Sequence, residues 1–84
     1  MTGFDVLVEV RLRPGIADPE GATIERALPA LGFDSVAHVR AGRSFRFEVD
    51  APDEAQARST ATELADRLLA NPVIEQSQLE LEVI

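Results

Sequence analysis

The sequence contains no cysteine, no tryptophan and no tyrosine, and only one histidine occurs among its 84 residues. Without cysteine there is neither a disulfide framework nor thiolate chemistry. The single histidine, His38, has no second histidine or cysteine with which to share a zinc or iron ion. We therefore expect no metal site in this chain.

Motifs of catalysis and phosphate binding are also missing. The four serines stand in no Gly-x-Ser-x-Gly context, and the sequence has no Gly-x-x-x-x-Gly-Lys-Ser/Thr loop. Most carboxylates fall at predicted helix starts and on strand exteriors, where a solvated surface explains them. We therefore expect no catalytic residue and no cofactor-binding residue.

Positive charge is scarce. The sequence has eight arginines and no lysine but fifteen Asp and Glu residues, so the formal net charge is −7. Nucleic acids and anionic membranes are bound by basic surfaces, which argues against both as partners. No apolar run approaches the roughly 18 residues of a membrane span, and no signal peptide is visible, so a cytoplasmic location is expected.

The first half of the chain predicts a strand and a helix. Residues 4–12 alternate apolar and polar side chains with the period of a half-buried strand. Asp18 is a suitable N-cap and Pro19 a suitable first helical residue. An apolar face follows, which Pro29 should kink before Gly32 ends the helix: Ile24, Ala27, Leu28 and Leu31.

The second half predicts three strands and a helix. Residues 35–41 and 45–50 indicate two strands joined by a tight turn at 41–44, although Val36 and Val39 are out of phase for alternation. A second helix should start near Pro52 and end at Asn71, in the left-handed conformation, before Pro72. Residues 78–83 alternate as a last strand.

The order β-α-β-β-α-β predicts one domain, residues 1–84, with a ferredoxin-like α+β fold. Its four-stranded antiparallel sheet would have the strand order 4-1-3-2 and both helices on one face. The core side of the sheet would carry Phe4, Val6, Val8, Val10, Phe45, Phe47, Val49, Leu79, Leu81 and Val83. The open side would carry Asp5, Leu7, Glu9, Arg11, Arg46, Glu48, Glu80 and Glu82.

Four stretches stand out as a set: Asp18-Pro19-Glu20-Gly21, Leu31-Gly32-Phe33, Val39-Arg40-Ala41-Gly42-Arg43 and Leu68-Leu69-Ala70-Asn71-Pro72-Val73-Ile74-Glu75. In this order and spacing they resemble the PurS family, the small subunit of phosphoribosylformylglycinamidine synthase. The resemblance covers nearly the whole chain. It marks six residues as structural motif positions: Asp18, Pro19, Gly21, Gly32, Asn71 and Pro72. One departure is Arg43, which stands where the family has lysine after glycine, and arginine donates hydrogen bonds in a different geometry.

The resemblance implies a non-catalytic subunit of purine biosynthesis. It would bridge a glutaminase subunit and an ATP-dependent synthetase subunit and would itself form a homodimer or tetramer. ATP, magnesium and glutamine would be used by the assembled complex rather than bound by this subunit. The implied reaction is the glutamine-dependent conversion of an amide to an amidine.

Arg40, Gly42 and Arg43 form the one local cluster of positive charge and are the candidate partner interface. On a hairpin tip, Arg43→Glu should leave folding intact and weaken assembly. The alternative function is an amino-acid-binding regulatory module resembling ACT domains, with its ligand near residues 14–21. An acylphosphatase-like hydrolase is a weaker alternative, because its arginine-bearing glycine-rich loop is not recognisable.

Overall fold

The computed structural model describes all of residues 1–84. Its elements, in chain order, are strand β1 (Thr2–Leu12), helix α1 (Pro19–Ala27), a short 3₁₀ turn (Pro29–Leu31), strand β2 (Gly42–Ala51), helix α2 (Glu54–Leu64), a π turn (Ala65–Leu69) and strand β3 (Glu75–Val83). The chain is thus α+β, as the sequence predicts.

The sheet has three antiparallel strands in the order β2-β1-β3. Val6 lies between Phe47 and Leu81, and Val8 lies between Phe45 and Leu79. Cross-strand neighbours of this kind point to the same face of a sheet. The three strands therefore align their apolar positions on one face, and β1 is the central strand.

The buried core lies between β1 and α2. Its apolar members are Phe4, Val6, Val8, Val10, Ala51, Ala57, Ala61 and Ala65, each at most 4% exposed. The small alanines let α2 approach the sheet closely. The flanking apolar residues of β2 and β3 are only partly buried against this core: Phe45, Phe47, Val49, Leu79 and Leu81. Val83, predicted to be in the core, is mostly exposed at the end of β3.

The prediction of a four-stranded sheet is wrong, because residues 34–41 form turns and irregular backbone instead of a strand. His38 takes a left-handed φ of 58°, which interrupts an extended chain. Two side-chain carboxylates satisfy the nearby backbone: Val39 N–H donates to Glu25 Oε1 at 2.8 Å, and Ala41 N–H donates to Asp18 Oδ2 at 2.8 Å. These N–H groups therefore do not need a neighbouring strand.

The observed helix ends agree in part with those predicted from the sequence. Asp18 caps α1, Pro19 is its first residue, and Gly32 closes the 3₁₀ turn with φ 87°. Pro29 starts that turn, so the α-helix ends at Ala27 instead of continuing through a kink to Gly32 as predicted. Asn71 is not left-handed, since His38 is the one non-glycine residue with positive φ. Instead, Asn71 Oδ1 accepts the Val73 N–H at 3.1 Å, so this turn is held by a side chain.

Helix α1 does not lie over the sheet as α2 does. Helix α2 packs on all three strands, whereas the main contacts of α1 are with the adjoining 3₁₀ turn. Its predicted buried face is largely open, with Ile24 45% and Leu31 68% exposed. Leu68, in the π turn after α2, is also exposed. Residues 19–41, called here the arm, therefore leave much of their apolar surface uncovered.

The molecule is long and thin. Its principal dimensions are 52 × 27 × 14 Å, and its radius of gyration is 16.4 Å, against about 12 Å for a compact domain of this length. Its accessible surface is 5998 Å², whereas a monomer of 9.1 kDa typically exposes about 4900 Å². The single chain thus exposes more surface than a closed domain of its size.

Candidate functional site

The basic cluster does not occupy a hairpin tip. Arg40 lies near the end of the irregular segment 34–41, and Gly42 and Arg43 are already part of β2, paired with Arg11 and Val10 of β1. The predicted turn at residues 41–44 is therefore absent. The cluster lies instead at the base of the arm, where the arm joins the sheet.

Asp18 connects the start of α1 to this cluster. Its Oδ1 accepts the Gly21 N–H at 3.0 Å, and its Oδ2 accepts the Ala41 N–H at 2.8 Å. The Asp18 side chain is only 5% exposed. The hydrogen bonds from Gly21 and then Ala41 lower the pKa of Asp18, and the nearby Arg40 adds to this, against the opposing effect of burial.

Gly21 is required by the same contact. A Cβ at this position would lie 2.5 Å from Asp18 Oδ2 and 2.6 Å from the carbonyl oxygen of Val39. Gly42 is constrained in a similar way, since its Cβ would lie 2.7 Å from the carbonyl oxygen of Val10. The glycines of two motif stretches thus allow backbone segments to approach closely where the arm meets the sheet.

Arg40 is the more weakly held of the two arginines. Its Nη2 donates to the carbonyl oxygen of Ile16 at 3.3 Å, and its Nε lies 3.8 Å from Asp18 Oδ2. About half of its side chain is exposed. Its guanidinium therefore keeps donors available to a partner.

Arg43 makes more contacts within the subunit than Arg40 does, although its side chain is 54% exposed. Its Nη2 donates to Glu75 Oε2 at 2.9 Å and to the carbonyl oxygen of Leu69 at 3.2 Å, and its guanidinium carbon lies 5.6 Å from the centre of the Phe45 ring. Glu75 Oε1 also accepts the Asn71 N–H at 2.7 Å. These hydrogen bonds, that from Asn71 first and that from Arg43 second, lower the pKa of Glu75.

Sequence reasoning missed the roles of two carboxylates, Glu25 and Glu75. Each contacts a group distant in the chain: Glu25 bonds Val39 at a separation of 14 residues, and Glu75 bonds Arg43 at 32. No local spacing rule connects such pairs. The resemblance did include Glu75 at the end of the fourth stretch, which was the one available signal for it.

The structure also places the remaining motif residues. Arg13 donates to the carbonyl oxygen of Pro72 through Nε at 3.0 Å and Nη2 at 2.9 Å, which holds the loop before β3 against the end of β1. Gly32 stands at the far end of the arm, away from this junction in sequence. The structure therefore brings Asp18, Gly21 and Asn71 to the base of the arm but does not include Gly32 in that group.

The second notable surface is the open face of the sheet. Its cross-strand rows bring like charges together, because Asp5 stands between Glu48 and Glu82. Arg46 lies 3.9 Å from Asp5, and Arg11 donates to the Gln78 side chain at 2.8 Å. This face is charged, and acidic side chains outnumber arginines on it.

No group of three or more His, Cys, Asp or Glu side chains is arranged to hold a metal ion. None of the helices combines the length and apolar character needed to span a membrane.

Comparisons of the sequence and of the structure with known proteins agree on one family. Residues 5–83 match the PurS family model, described as phosphoribosylformylglycinamidine (FGAM) synthase. A PurS subunit of this synthase from Synechocystis is 39% identical over 77 residues, which cover 92% of this chain and 77% of the relative.

Solved structures are similar over nearly the whole chain. The PurS of Methanocaldococcus jannaschii, one of the subunits of formylglycinamide ribonucleotide amidotransferase in the purine biosynthetic pathway, is 33% identical with a TM-score of 0.85, covering 96% of this chain and 98% of its own. A chain in the PurLQS structure from Thermotoga maritima is 32% identical with a TM-score of 0.89, covering 98% of this chain and 100% of its own.

Proposed function

Because the chain belongs to the PurS family of phosphoribosylformylglycinamidine synthase subunits, we propose that it bridges the glutaminase and synthetase subunits of that enzyme. The family prediction made from the four motif stretches is confirmed, and with it the prediction of a subunit of a purine-biosynthetic ligase. The observation that carries the bridging role is the similarity to a chain of the Thermotoga maritima PurLQS structure over its full length.

The chemistry of the site agrees with a role in assembly. The polar groups at the base of the arm are engaged with one another: Asp18 with backbone N–H groups, and Arg43 with Glu75. In this proposal the subunit contributes no catalytic residue and binds no cofactor. ATP, magnesium and glutamine are used by the assembled complex. The cytoplasmic location and the single domain remain predictions.

We also propose that the subunit self-associates, as a homodimer or tetramer. The excess of accessible surface over a typical monomer is roughly 1100 Å². A standard stable interface buries about 800 Å² per partner. One interface of ordinary size would therefore bring the chain to the exposure expected of a closed protein.

The proposed contact with an unlike subunit is the basic cluster of Arg40, Gly42 and Arg43. Arg40 provides a half-exposed guanidinium. Beside it, Gly42 allows the backbone to approach the Val10 carbonyl oxygen closely, and Arg43 forms the ion pair with Glu75. The test is Arg40→Glu, with Arg26→Glu on the exposed surface of α1 as the matched control. Arg40→Glu should weaken capture of the synthetase or glutaminase in a pull-down, whereas equal capture by both variants would remove Arg40 from the interface.

The bridging function is tested by reconstitution. The subunit alone should show no amidotransfer, and the mixture of synthetase and glutaminase should gain glutamine-dependent turnover when it is added. Turnover supported by free ammonium salt is the control, because it needs the synthetase but no coupling. Full glutamine-dependent turnover without this chain would contradict the proposal.

The amino-acid-binding alternative has less support from the geometry. Its ligand would bind near residues 14–21, but the Gly21 N–H at the start of α1 is already bonded to Asp18. A thermal shift series with free amino acids and nucleotides tests this alternative directly. We expect no saturable rise in melting temperature.

A further inference from the structure

Positive charge without an acidic counterpart is concentrated at the end of β1. Arg11 and Arg13 lie there, and neither takes part in an ion pair. Their hydrogen bonds go to uncharged groups, because Arg11 Nη2 donates to the Gln78 side chain at 2.8 Å and Arg13 Nη2 donates to the carbonyl oxygen of Pro72 at 2.9 Å. The charge at this end of the sheet is therefore not neutralised within the chain, although the chain as a whole has a formal net charge of −7.

Arg11 and Arg40 share a cleft of about 360 Å³ at the junction of β1, β3 and the arm. None of its seven lining residues is acidic, and Gln76 supplies a third polar side chain. Arg11 is paired with Gly42 on β2 and with Gln76 on β3. Since glycine has no side chain, the residue of β2 opposite Arg11 leaves its guanidinium uncovered. The cleft therefore presents two guanidinium groups and an amide, with no carboxylate among them.

Most hydrogen-bond donors of the two arginines are unoccupied. A guanidinium carries five N–H donors. Within the chain, Arg11 donates to Gln78 and Arg40 donates to the carbonyl oxygen of Ile16 at 3.3 Å. Asp18 Oδ2 lies 3.8 Å from Arg40 Nε, beyond hydrogen-bond length, and both oxygens of Asp18 already accept backbone N–H groups. The cleft thus has the donors to bind an oxyanion and no acidic side chain in its lining to occupy them.

We propose that an acidic segment of an unlike subunit docks in this cleft, with one Asp or Glu carboxylate of that segment accepting hydrogen bonds from Arg11 and Arg40 together. A carboxylate suits these groups, because a planar guanidinium donates two parallel N–H groups to its two oxygens. The inference rests on the proposed contact of Arg40 with an unlike subunit. It adds Arg11 and Gln76 to that contact and gives the chemistry of the partner.

The exposure of both arginines favours a carboxylate of a protein over a free anion. An ion pair open to water contributes little, because water and salt screen it. A partner surface that covers the cleft removes this water and strengthens the same pair. The cleft also has an apolar wall on which such a surface can pack around the charge: Leu12, Pro14 and Ala41. A small anion would leave that wall exposed to water.

The absence of lysine from the chain makes a direct test possible. Arg11→Lys keeps the positive charge and introduces the only side-chain amine, while the Met1 amine lies near the other end of β1. A carbodiimide, which joins an amine to a touching carboxylate without a spacer, is added to the complex of this variant with synthetase and glutaminase. We expect a cross-link from residue 11 to an Asp or Glu of one of these subunits, identified by mass spectrometry. Arg58→Lys, on the exposed side of α2, is the matched control and should form much less.

The companion variant reverses the charge. Arg11→Glu should weaken binding to the same unlike subunit about ten-fold or more, because the docked carboxylate would lose its partner and meet a like charge. The loss should be greatest at low salt, where screening is weakest. Arg58→Glu, the same change on α2, should leave the affinity unchanged. Equal affinity of the wild type and Arg11→Glu would contradict the proposal.

The cross-linking outcomes separate this inference from the bridging function. If the wild type binds the unlike subunits but Arg11→Lys cross-links no more than Arg58→Lys, the cleft is overturned and bridging stands. A cross-link to a second copy of this chain instead of an unlike subunit would also overturn the proposal. So would a saturable rise in melting temperature with inorganic phosphate that Arg11→Glu abolishes, because the occupant would then be a free anion. A wild type that binds neither unlike subunit would overturn both the cleft and the bridging function.

Discussion

Arg43 Nη2 lies 2.9 Å from Glu75 Oε2, and this ion pair joins the start of β2 to the start of β3 across the end of the central strand. Val10 of β1 lies directly opposite Arg43 and is 1% exposed. The pair thus closes the end of the core that faces the arm. A residue predicted to be a free contact on a hairpin tip is a structural element of the subunit.

Arg43→Glu should therefore destabilise the subunit, contrary to the expectation from sequence that folding would be unaffected. The new carboxylate would face Glu75 and leave the Leu69 carbonyl oxygen without its donor. The midpoint of urea unfolding should fall. The charge-reversed pair Arg43→Glu with Glu75→Arg should recover part of the loss, and an unchanged midpoint in the single variant would show that the ion pair contributes nothing.

The three strands of the sheet could be predicted because alternation is a local signal. β1, β2 and β3 each repeat apolar residues at every second position, and their predicted order, with the missing strand removed, is the observed order. The Asp18 cap could also be predicted locally, since Asp18 precedes a helical run and accepts the Gly21 N–H three residues later.

The features of the fold that were predicted wrongly depend on contacts between residues distant in the chain, which no local sequence pattern encodes. Residues 34–41 have the composition of a short strand, but Asp18 and Glu25 provide their backbone N–H groups with acceptors from distant parts of the chain. The outward position of α1 is a second case. Its apolar periodicity predicts one buried side, but Ile24 and Leu31 on that side are exposed, because periodicity does not show which residues would cover it.

Gly21→Ala should disturb the close packing of the start of α1 against the backbone at Val39. The added methyl group would lie 2.6 Å from the Val39 carbonyl oxygen, closer than carbon and oxygen approach in folded proteins. Overpacking of this kind costs about 1–3 kcal/mol in the free energy of unfolding. Urea unfolding measures the loss, and Gly3→Ala is the control, because its nearest atom, Ile84 Cδ1, is at an ordinary 3.4 Å. Equal stability of the two variants would contradict the close approach.

Leu81→Asp should strongly destabilise the protein. Leu81 is opposite Val6 of β1 and packs against the core, so the substitution places a carboxylate among apolar side chains. We expect a loss of about 3 kcal/mol or more, against a total stability of roughly 4–13 kcal/mol for a chain of this length. Glu82→Asp, on the other face of the same strand, should change the unfolding free energy little. An unfolding free energy of Leu81→Asp equal to that of the wild type in urea would show that the two faces of β3 are assigned wrongly.

Acid should weaken the base of the arm through Asp18 and Glu75. The pKa of each carboxyl is lowered in the folded protein, chiefly by the Gly21 N–H on Asp18 and the Asn71 N–H on Glu75, from ordinary values of 3.8 and 4.5. The unfolded chain therefore binds more protons in that range, and the free energy of unfolding rises with pH there. The stabilisation is complete above the ordinary values and is lost as the pH falls through the lowered ones.

The measurement is the urea midpoint as a function of pH, from near neutrality to about pH 3. Asp18→Asn combined with Glu75→Gln removes both titrating groups and should flatten the acid limb of the curve relative to the wild type. Asp66→Asn with Glu54→Gln, two exposed positions of helix α2 and its π turn, is the matched control and should leave the limb in place. If the wild type and the first double variant lost stability along the same curve, the hydrogen bonds accepted by Asp18 and Glu75 would not be the source of the acid sensitivity. The Ala41 N–H would then be held by Asp18 without a contribution from the charge of the carboxylate.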